Sequence, residues 1–380
     1  MASGSLVWLG LGWWSASSIV HWASAALARS PRARATVRHR ADDFSLVAPL
    51  KGASDASAGY VRALVDLSRA GVEVLICVAN ADDGAIAATR AYWPDAKLLV
   101  GSDHTFNPKM NNVRKGLEAA SRPIVALCDA GVALSVAELC RLAATLSDKV
   151  GLVLALKAGA APENFPAEME RAYIDGHQAR FLFAADRIGI AVASGGVTLM
   201  SRETLQRIGN WRGFNRWIAD DYSVVRSVRE LGLATRLGDI MPQLPLGRRN
   251  WPVVWRRQVR WARTRLRLPV WPLVLWEPAI GWAVSGAAGA VALVGLGVGS
   301  GAVLLGLLVH TAAWLGGEKW FMAGRGLSFG LRAAAAALLR EALAPALMVS
   351  ALSGRSIDWR GTDLGGKWRG RGDDTAGTSA

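Results

Sequence analysis

Apolar positions fall into three regimes along the chain. Leu6 to Ala28 is an apolar stretch whose only titratable side chain is His21. At about 1.5 Å per residue it is long enough to cross a hydrocarbon core of about 30 Å. From 44 to 240 short apolar runs alternate with amphipathic stretches. From Trp271 the chain turns apolar again.

In the middle regime "FSLVAPL" (44–50), "VEVLICVAN" (72–80), "KLLVG" (97–101) and "PIVALCDAG" (123–131) read as buried strands. Residues 57–70, 84–93 and 108–121 read as helices between them. Such alternation predicts an α/β fold, a mostly parallel sheet with helices on both faces. Ligands of such sheets bind at the carboxyl ends of the strands. Lys51, the Asp82-Asp83 pair and Asp129 follow those ends.

In the outer regimes Arg29, Arg32, Arg34, Arg38 and Arg40 follow the first apolar stretch, which places that flank in the cytoplasm and the N-terminus outside. No Lys or Arg precedes the stretch, so an anchor fits better than a cleaved signal peptide. Residues 273–298 and 300–316 can both span. Residues 331–352 carry Arg332, Arg340 and Glu341; they either span with the Arg-Glu pair facing a bundle, or lie in or re-enter the membrane. A cytoplasmic basic tail, with five Lys/Arg from Arg355 to Arg371, fits two spans better than three. The Gly-rich run 281–306 is a close-packing composition, and the final "DDTAGTSA" reads as disordered.

Between the middle regime and the last lies "WPVVWRRQVRWARTRLRL" (251–268). Pro252 suits a first helical turn and Pro269 stops the helix. Trp251, Trp255, Val259, Ala262 and Leu266 share one face; Arg256, Arg260, Arg263 and Arg267 share another. That pattern predicts an interfacial helix with its apolar side in lipid. Arg257, Arg260 and Trp261 form R-x-x-R-W off that stripe, leaving two guanidiniums available for phosphate.

Composition agrees. The 380 residues are 52% hydrophobic with a formal net charge of +14, a mean hydropathy of +0.23 and a pI of about 10.5. A basic, apolar chain suits anionic lipid or phosphate-bearing substrates. Arg-rich helices beside aromatics also occur in nucleic-acid binders, but a stretch set between a soluble domain and membrane segments argues against that. Cys77, Cys128 and Cys140 are odd in number and contain no C-x-x-C, so they read as reduced thiols.

The candidate chemistry sits at strand ends and helix starts. Asp83 can accept hydrogen bonds from a ribose or base, or simply cap a helix. Asp129 is placed to bind a divalent ion on a diphosphate, or to make a turn before Gly131. Asp220-Asp221 beside Tyr222 suits a general base, since like-charge crowding raises one pKa; helix capping would use the same position. In "NPKMNN" (107–112) Asn107 caps, Pro108 opens a helix, and Lys109 in the first turn opposes the macrodipole, which points to an anionic ligand.

Taken in order, these motifs resemble the ceramide glucosyltransferase family over roughly 5–360. Asp83 in "CVANADDGAI", "NPKMNN", Asp129 in "CDAG", Asp221 in "IADDY", and Arg257, Arg260 and Trp261 match its three Asp and [R/Q]xxRW pattern. "REALAPALMVSALSG" and the later "DWR" look like its C-terminal region. Here the third block reads Asp-Asp where the family reads Glu-Asp. The family's "HPR" reads "HQAR", with Arg180 aligned and His177 displaced by one. As in the family, Gly131 leaves the second block without a full D-x-D.

The resemblance implies a GT-A (Rossmann-like) glycosyltransferase domain with N-terminal and C-terminal transmembrane or interfacial helices. The division is an anchor and basic flank (1–40), a cytoplasmic catalytic domain (41–250), the interfacial helix (251–269), membrane helices (270–353) and a basic tail (354–380). The implied reaction is UDP-glucose plus ceramide giving glucosylceramide and UDP, with inversion. Asp221 would be the base, Asp83 would hold the nucleoside, and Asp129 would position Mg²⁺ or Mn²⁺. Lys109 would assist at phosphate. Arg257 and Arg260 would neutralise the leaving diphosphate, Trp261 would pack beside the acceptor, and His177 and Arg180 would bind the acceptor. High Ala, Arg and Gly point to a GC-rich bacterium, hence its inner membrane. Diacylglycerol or a hopanoid polyol as acceptor, and a processive polysaccharide synthase, are the alternatives. A non-catalytic binder fits five ordered motifs less well. No nucleic-acid partner is expected.

Overall fold

Four apolar runs read from the pattern become strands, and three more join them. They are β1 (Phe44–Leu50), β2 (Glu73–Val78), β3 (Leu98–Val100), β4 (Ile124–Cys128), β5 (Val150–Leu156), β6 (Gly196–Ser201) and β7 (Ala234–Leu237). The computed structural model describes residues 2–30, 39–101, 107–359 and 362–364. The seven strands form one sheet in the order β3-β2-β1-β4-β6-β5-β7. Pairings on the β1 side are parallel, in register Val47 to Leu75 and Val47 to Leu127. β6 runs antiparallel to both β4 and β5, and β5 and β7 pair parallel. The sheet is therefore mixed but mostly parallel. The antiparallel β6 lies beyond the last strand named from the pattern, which ended at residue 131.

Every residue of β1 is buried, because helices cover both faces of the sheet. On one side Leu46, Ala48 and Leu50 pack with Val61 and Leu64 of the Ala58–Arg69 helix and with Leu139 and Leu142 of the Val136–Ala143 helix. On the other, the Pro108–Ala119 helix buries Met110, Val113 and Leu117. It approaches so closely at Gly116 that an added Cβ would lie 2.5 Å from Cys77 Sγ and 2.6 Å from Val47 Cγ1. The three cysteines are free thiols, Cys77 and Cys128 buried.

The chain divides into two compact units. The sheet belongs to the unit made of Arg32–Ala158, Gly189–Pro245 and Ser356–Ala380; the other comprises Met1–Pro31, Gly159–Ile188 and Leu246–Arg355. Residues 159–188, which the linear reading sets inside a 41–250 domain, thus group with the apolar helices.

In that second unit the Ser300–Gly324 and Leu331–Leu352 helices are long and apolar enough to cross a membrane. The Ala2–Arg29 helix has the length, but its Trp and Ser content keeps it out of that class. The expected continuous span 273–298 is broken. It forms the Trp271–Trp276 and Trp282–Gly295 helices, because Pro278 cannot continue the backbone ladder and Glu277 turns to an ion pair with Arg265. The Gly-rich run does pack closely: an added Cβ at Gly289 would lie 2.5 Å from the Trp14 ring. Arg340 and Glu341 are buried and paired, facing the inside of their unit. Of the basic N-terminal flank, Arg32, Arg34 and Arg38 lie outside the described residues, as does the C-terminal "DDTAGTSA".

The Trp251–Leu266 helix is capped by Asn250, with Pro252 in its first turn. The middle of its apolar stripe is covered, while Trp251 at its start stays 46% exposed. Val259 and Ala262 are buried against Ala351, with Trp255, Leu266 and Leu347 packed around them. The polar face is divided as well. Arg263 donates to the carbonyls of Ser350 (2.8 Å) and Ala351 (3.2 Å), filling acceptors that a helix end leaves unpaired.

Candidate active site

In the sheet unit three expected carboxylates and one lysine stand at strand ends and helix starts. The Pro108–Ala119 helix begins as its sequence dictates: Asn107 Oδ1 accepts from the Lys109 backbone N–H at 3.0 Å, with Pro108 in the first turn. This aims the Lys109 side chain across the ends of the strands. Its ammonium donates to Asp129 Oδ1 at 2.8 Å and to Asp220 Oδ2 at 2.6 Å. The second Asn of the motif is structural, Asn112 Nδ2 donating to the Leu50 and Cys77 carbonyls at 3.1 and 3.0 Å.

Asp129 follows β4, and its backbone N–H donates to the Gly196 carbonyl. Its second oxygen faces Lys157 Nζ at 3.6 Å. Burial by itself would raise Asp129, but the two lysines outweigh it and hold the carboxyl down to about 2. Burial likewise opposes the charge on Lys109, yet Asp129 and Asp220 raise it above the usual lysine range. Gly195 stands against Asp129 too; a Cβ there would lie 3.0 Å from Oδ2.

Asp220 and Asp221 open the Asp220–Glu230 helix. Burial first, then the Asp220 charge, pushes Asp221 up to about 6, with Lys109 pulling the other way. Its Oδ1 accepts from the Tyr222 N–H at 2.8 Å. Asp83 caps the Gly84–Arg90 helix, and one oxygen accepts from Ala85 N at 2.8 Å and Gly52 N at 2.7 Å. Gly52 has φ +77, a left-handed conformation suited to glycine.

The remaining expected residues lie in the other unit. Arg257 ion-pairs with Glu170, which is fully buried and also faces Arg249 at 3.7 Å. Trp261 stacks on Tyr173, ring centroids 5.4 Å apart. Arg260 lies on the same helix, half-buried. His177 falls on a π-helical turn, Ala172–Gln178, a form frequent at functional sites. Its Nδ1 is 3.1 Å from Arg340 Nη2, and burial followed by the Arg340 charge pushes it below the usual histidine range. Arg180 is fully buried, bound by Glu318 at 3.1 Å and by Ser24.

Two residues the sequence reading passed over touch the cluster: Lys157 and Gly195. Lys157 carries the same signal as Asp129, a charged residue directly after an apolar run, "VGLVLAL". Among the described residues no group of three or more His, Cys, Asp or Glu is placed to hold a metal ion. At Asp129 both oxygens already face ammonium groups.

A family model described as glycosyl transferase family 21 matches residues 12–371. Ceramide glucosyltransferase 3 of Caenorhabditis elegans is 26% identical over 315 residues, 79% of this chain and 67% of that protein. Ceramide glucosyltransferase 1 of the same animal is 24% identical over 168 residues, 42% of this chain and 36% of the relative. Among solved structures the mannosyltransferase PcManGT from Pyrobaculum calidifontis, in complex with GDP-Man and Mn²⁺, has a TM-score of 0.50 at 15% identity. That likeness covers 90% of this chain and 99% of that one. It establishes the GT-A-like α/β fold, which carries apolar helices toward its C-terminus.

Proposed function

The chain belongs to glycosyl transferase family 21 and is a nucleotide-sugar glycosyltransferase, and we propose that it moves glucose from UDP-glucose to the primary hydroxyl of a membrane lipid, ceramide first. The ceramide acceptor is supported by the two nematode relatives. The membrane setting is supported by the two long apolar helices. On this reading the bacterial inner membrane holds those helices and the sheet unit faces the cytoplasm, where sugar nucleotides are.

The observation that carries the chemistry is Asp221, a half-buried carboxyl beside a second carboxyl and raised to about 6. A base should titrate near its working pH. Asp221 takes the proton of the lipid hydroxyl as that oxygen attacks the anomeric carbon opposite the leaving diphosphate. The C–O bond to UDP breaks as the new one forms, and a single displacement inverts the centre. Asp83, with one oxygen fixed by backbone N–H groups, offers its other oxygen to the nucleoside. The family pattern assigns Arg257 and Arg260 to charge on the leaving group, Trp261 to the acceptor site, and His177 and Arg180 to acceptor binding.

A divalent ion on the diphosphate would have to be held at Asp129. The donor set there does not fit one, because both Asp129 oxygens face lysines and position 131 is glycine.

The test is transfer from UDP-[¹⁴C]glucose in membranes containing the chain, with ceramide, diacylglycerol and a hopanoid polyol offered separately. Asp221→Asn should lower turnover by about 10²–10⁴. Full retained turnover removes Asp221 as the base, and labelling of another lipid in preference to ceramide replaces the acceptor.

A further inference from the structure

A nucleoside diphosphate bound at the strand ends needs positive charge against its phosphates, and the sheet unit supplies it in an unusual form. Lys109 Nζ is 2.8 Å from one oxygen of Asp129 and Lys157 Nζ is 3.6 Å from the other. The side chains of Lys109 and Lys157 are only 16% and 20% exposed. They come from different elements, one from the first turn of a helix and one from the residue after β5. A second carboxylate two positions after Asp129 would complete an ion site, but Gly131 stands there with φ +82, a conformation in which most L side chains are strained. Gly195 lies close to the oxygen that faces Lys157, since a Cβ there would stand 3.0 Å from Asp129 Oδ2. A divalent cation entering here would have to displace two ammonium groups or sit against them.

We propose that Lys109 and Lys157 themselves provide the counter-charge for the donor's diphosphate, with Asp129 acting as the positioning residue that holds both ammoniums, so that the donor binds without a divalent cation. Two lysines here face two carboxylates, Asp129 and Asp220, so the positive charge offered to the donor is that of Lys157 and of Lys109 once it exchanges its contact with Asp220 for a phosphate oxygen. Charge-assisted contacts of this type are stronger than neutral ones, and in a half-buried site they are screened less than at the surface. The proposal rests on the donor being a nucleotide sugar and is indifferent to the acceptor.

The experiment is calorimetric titration of UDP, and separately GDP, into the full chain in detergent, with excess EDTA, Mg²⁺ or Mn²⁺, alongside Mn²⁺ electron paramagnetic resonance. The expected result is a nucleotide affinity that changes by less than about threefold between EDTA and either metal. Lys157→Met should weaken it by about tenfold or more in EDTA, while Lys157→Arg retains most of it. Thermal unfolding of the two variants controls for loss of fold. The proposal is overturned by affinity that falls about tenfold on adding EDTA, or by Mn²⁺ bound one-to-one with nucleotide and lost in Asp129→Asn. It is also overturned by binding of neither nucleotide under any condition. Binding of GDP in place of UDP, unaffected by EDTA, would change the donor reading and support the lysine pair.

Discussion

The Lys109 ammonium and the Asp220 carboxylate stand 2.6 Å apart, joining the first turns of two helices across 111 residues of sequence. This contact decides which of the two adjacent aspartates can be a base. Burial first, and then the Asp220 carboxylate beside it, raises Asp221.

Turnover should therefore fall as pH drops through about 6, where Asp221 takes up a proton. Two variants should move that midpoint in opposite directions. Asp220→Asn removes a like charge and lowers it; Lys109→Met removes an opposing cation and raises it, each by roughly one unit. The pH dependence of residual kcat/KM checks this, and a midpoint that ignores both changes would refute the assignment.

The same shift has a consequence for stability. Asp221 titrates near 6 in the folded chain against about 3.9 in an unfolded one. Its contribution is fully present below the lower value and is lost as pH rises through the upper one. Asp221→Asn should then stabilise the protein by about 2 kcal/mol at pH 8 and have little effect near pH 4. Thermal unfolding in detergent at the two pH values measures the difference, and equal midpoints at both would show that the carboxyl is not raised.

Asn112 ties the carboxyl ends of β1 and β2 together through two carbonyls and is only 6% exposed. Asn112→Ala leaves both acceptors without this donor and should cost about 1–3 kcal/mol. Asn112→Asp should be at least as damaging, because a carboxylate offers no donor to a carbonyl. Denaturant unfolding of the two variants ranks them; a neutral Asn112→Ala would mean that water replaces the amide.

Glu170 is fully buried and pairs with Arg257. Replacing it with Gln leaves a guanidinium without its charge partner, while the roughly one-quarter exposure of Arg257 lets water recover part of the loss. The expected destabilisation is about 1–3 kcal/mol, read from the shift in thermal midpoint. If the pair exists to present Arg257 to a phosphate, Glu170→Gln should also raise KM for the donor more than it lowers kcat; an unchanged KM would confine Glu170 to structure.

Much of this molecule is legible in linear order. The strands at 44–50, 73–78, 98–100 and 124–128 fall inside the apolar runs that announce them; the three inner ones are buried on both faces and so carry few polar positions, while the 98–100 strand, at the sheet edge, is half-exposed rather than buried. Asn107-Pro108-Lys109 specifies its own helix start, a local matter of one cap and one fixed φ. Distant pairings are not written this way. The antiparallel β6 and the Lys157 contact with Asp129 depend on segments brought together only by folding. The Trp251–Leu266 helix illustrates the limit. Its apolar stripe is plain in sequence, but lipid and a neighbouring helix satisfy a hydrophobic face equally well, and Ala351 and Leu347 cover its middle at Val259 and Ala262.

The sequence by itself determined the family, the α/β alternation and the order of the charged motifs, because each depends on residue type and local spacing. Only the tertiary structure decided what faces Asp129. Two lysines, 20 residues before it and 28 after, converge on one carboxylate. Coulomb attraction between side chains acts over a few ångströms of space, whatever length of chain separates them.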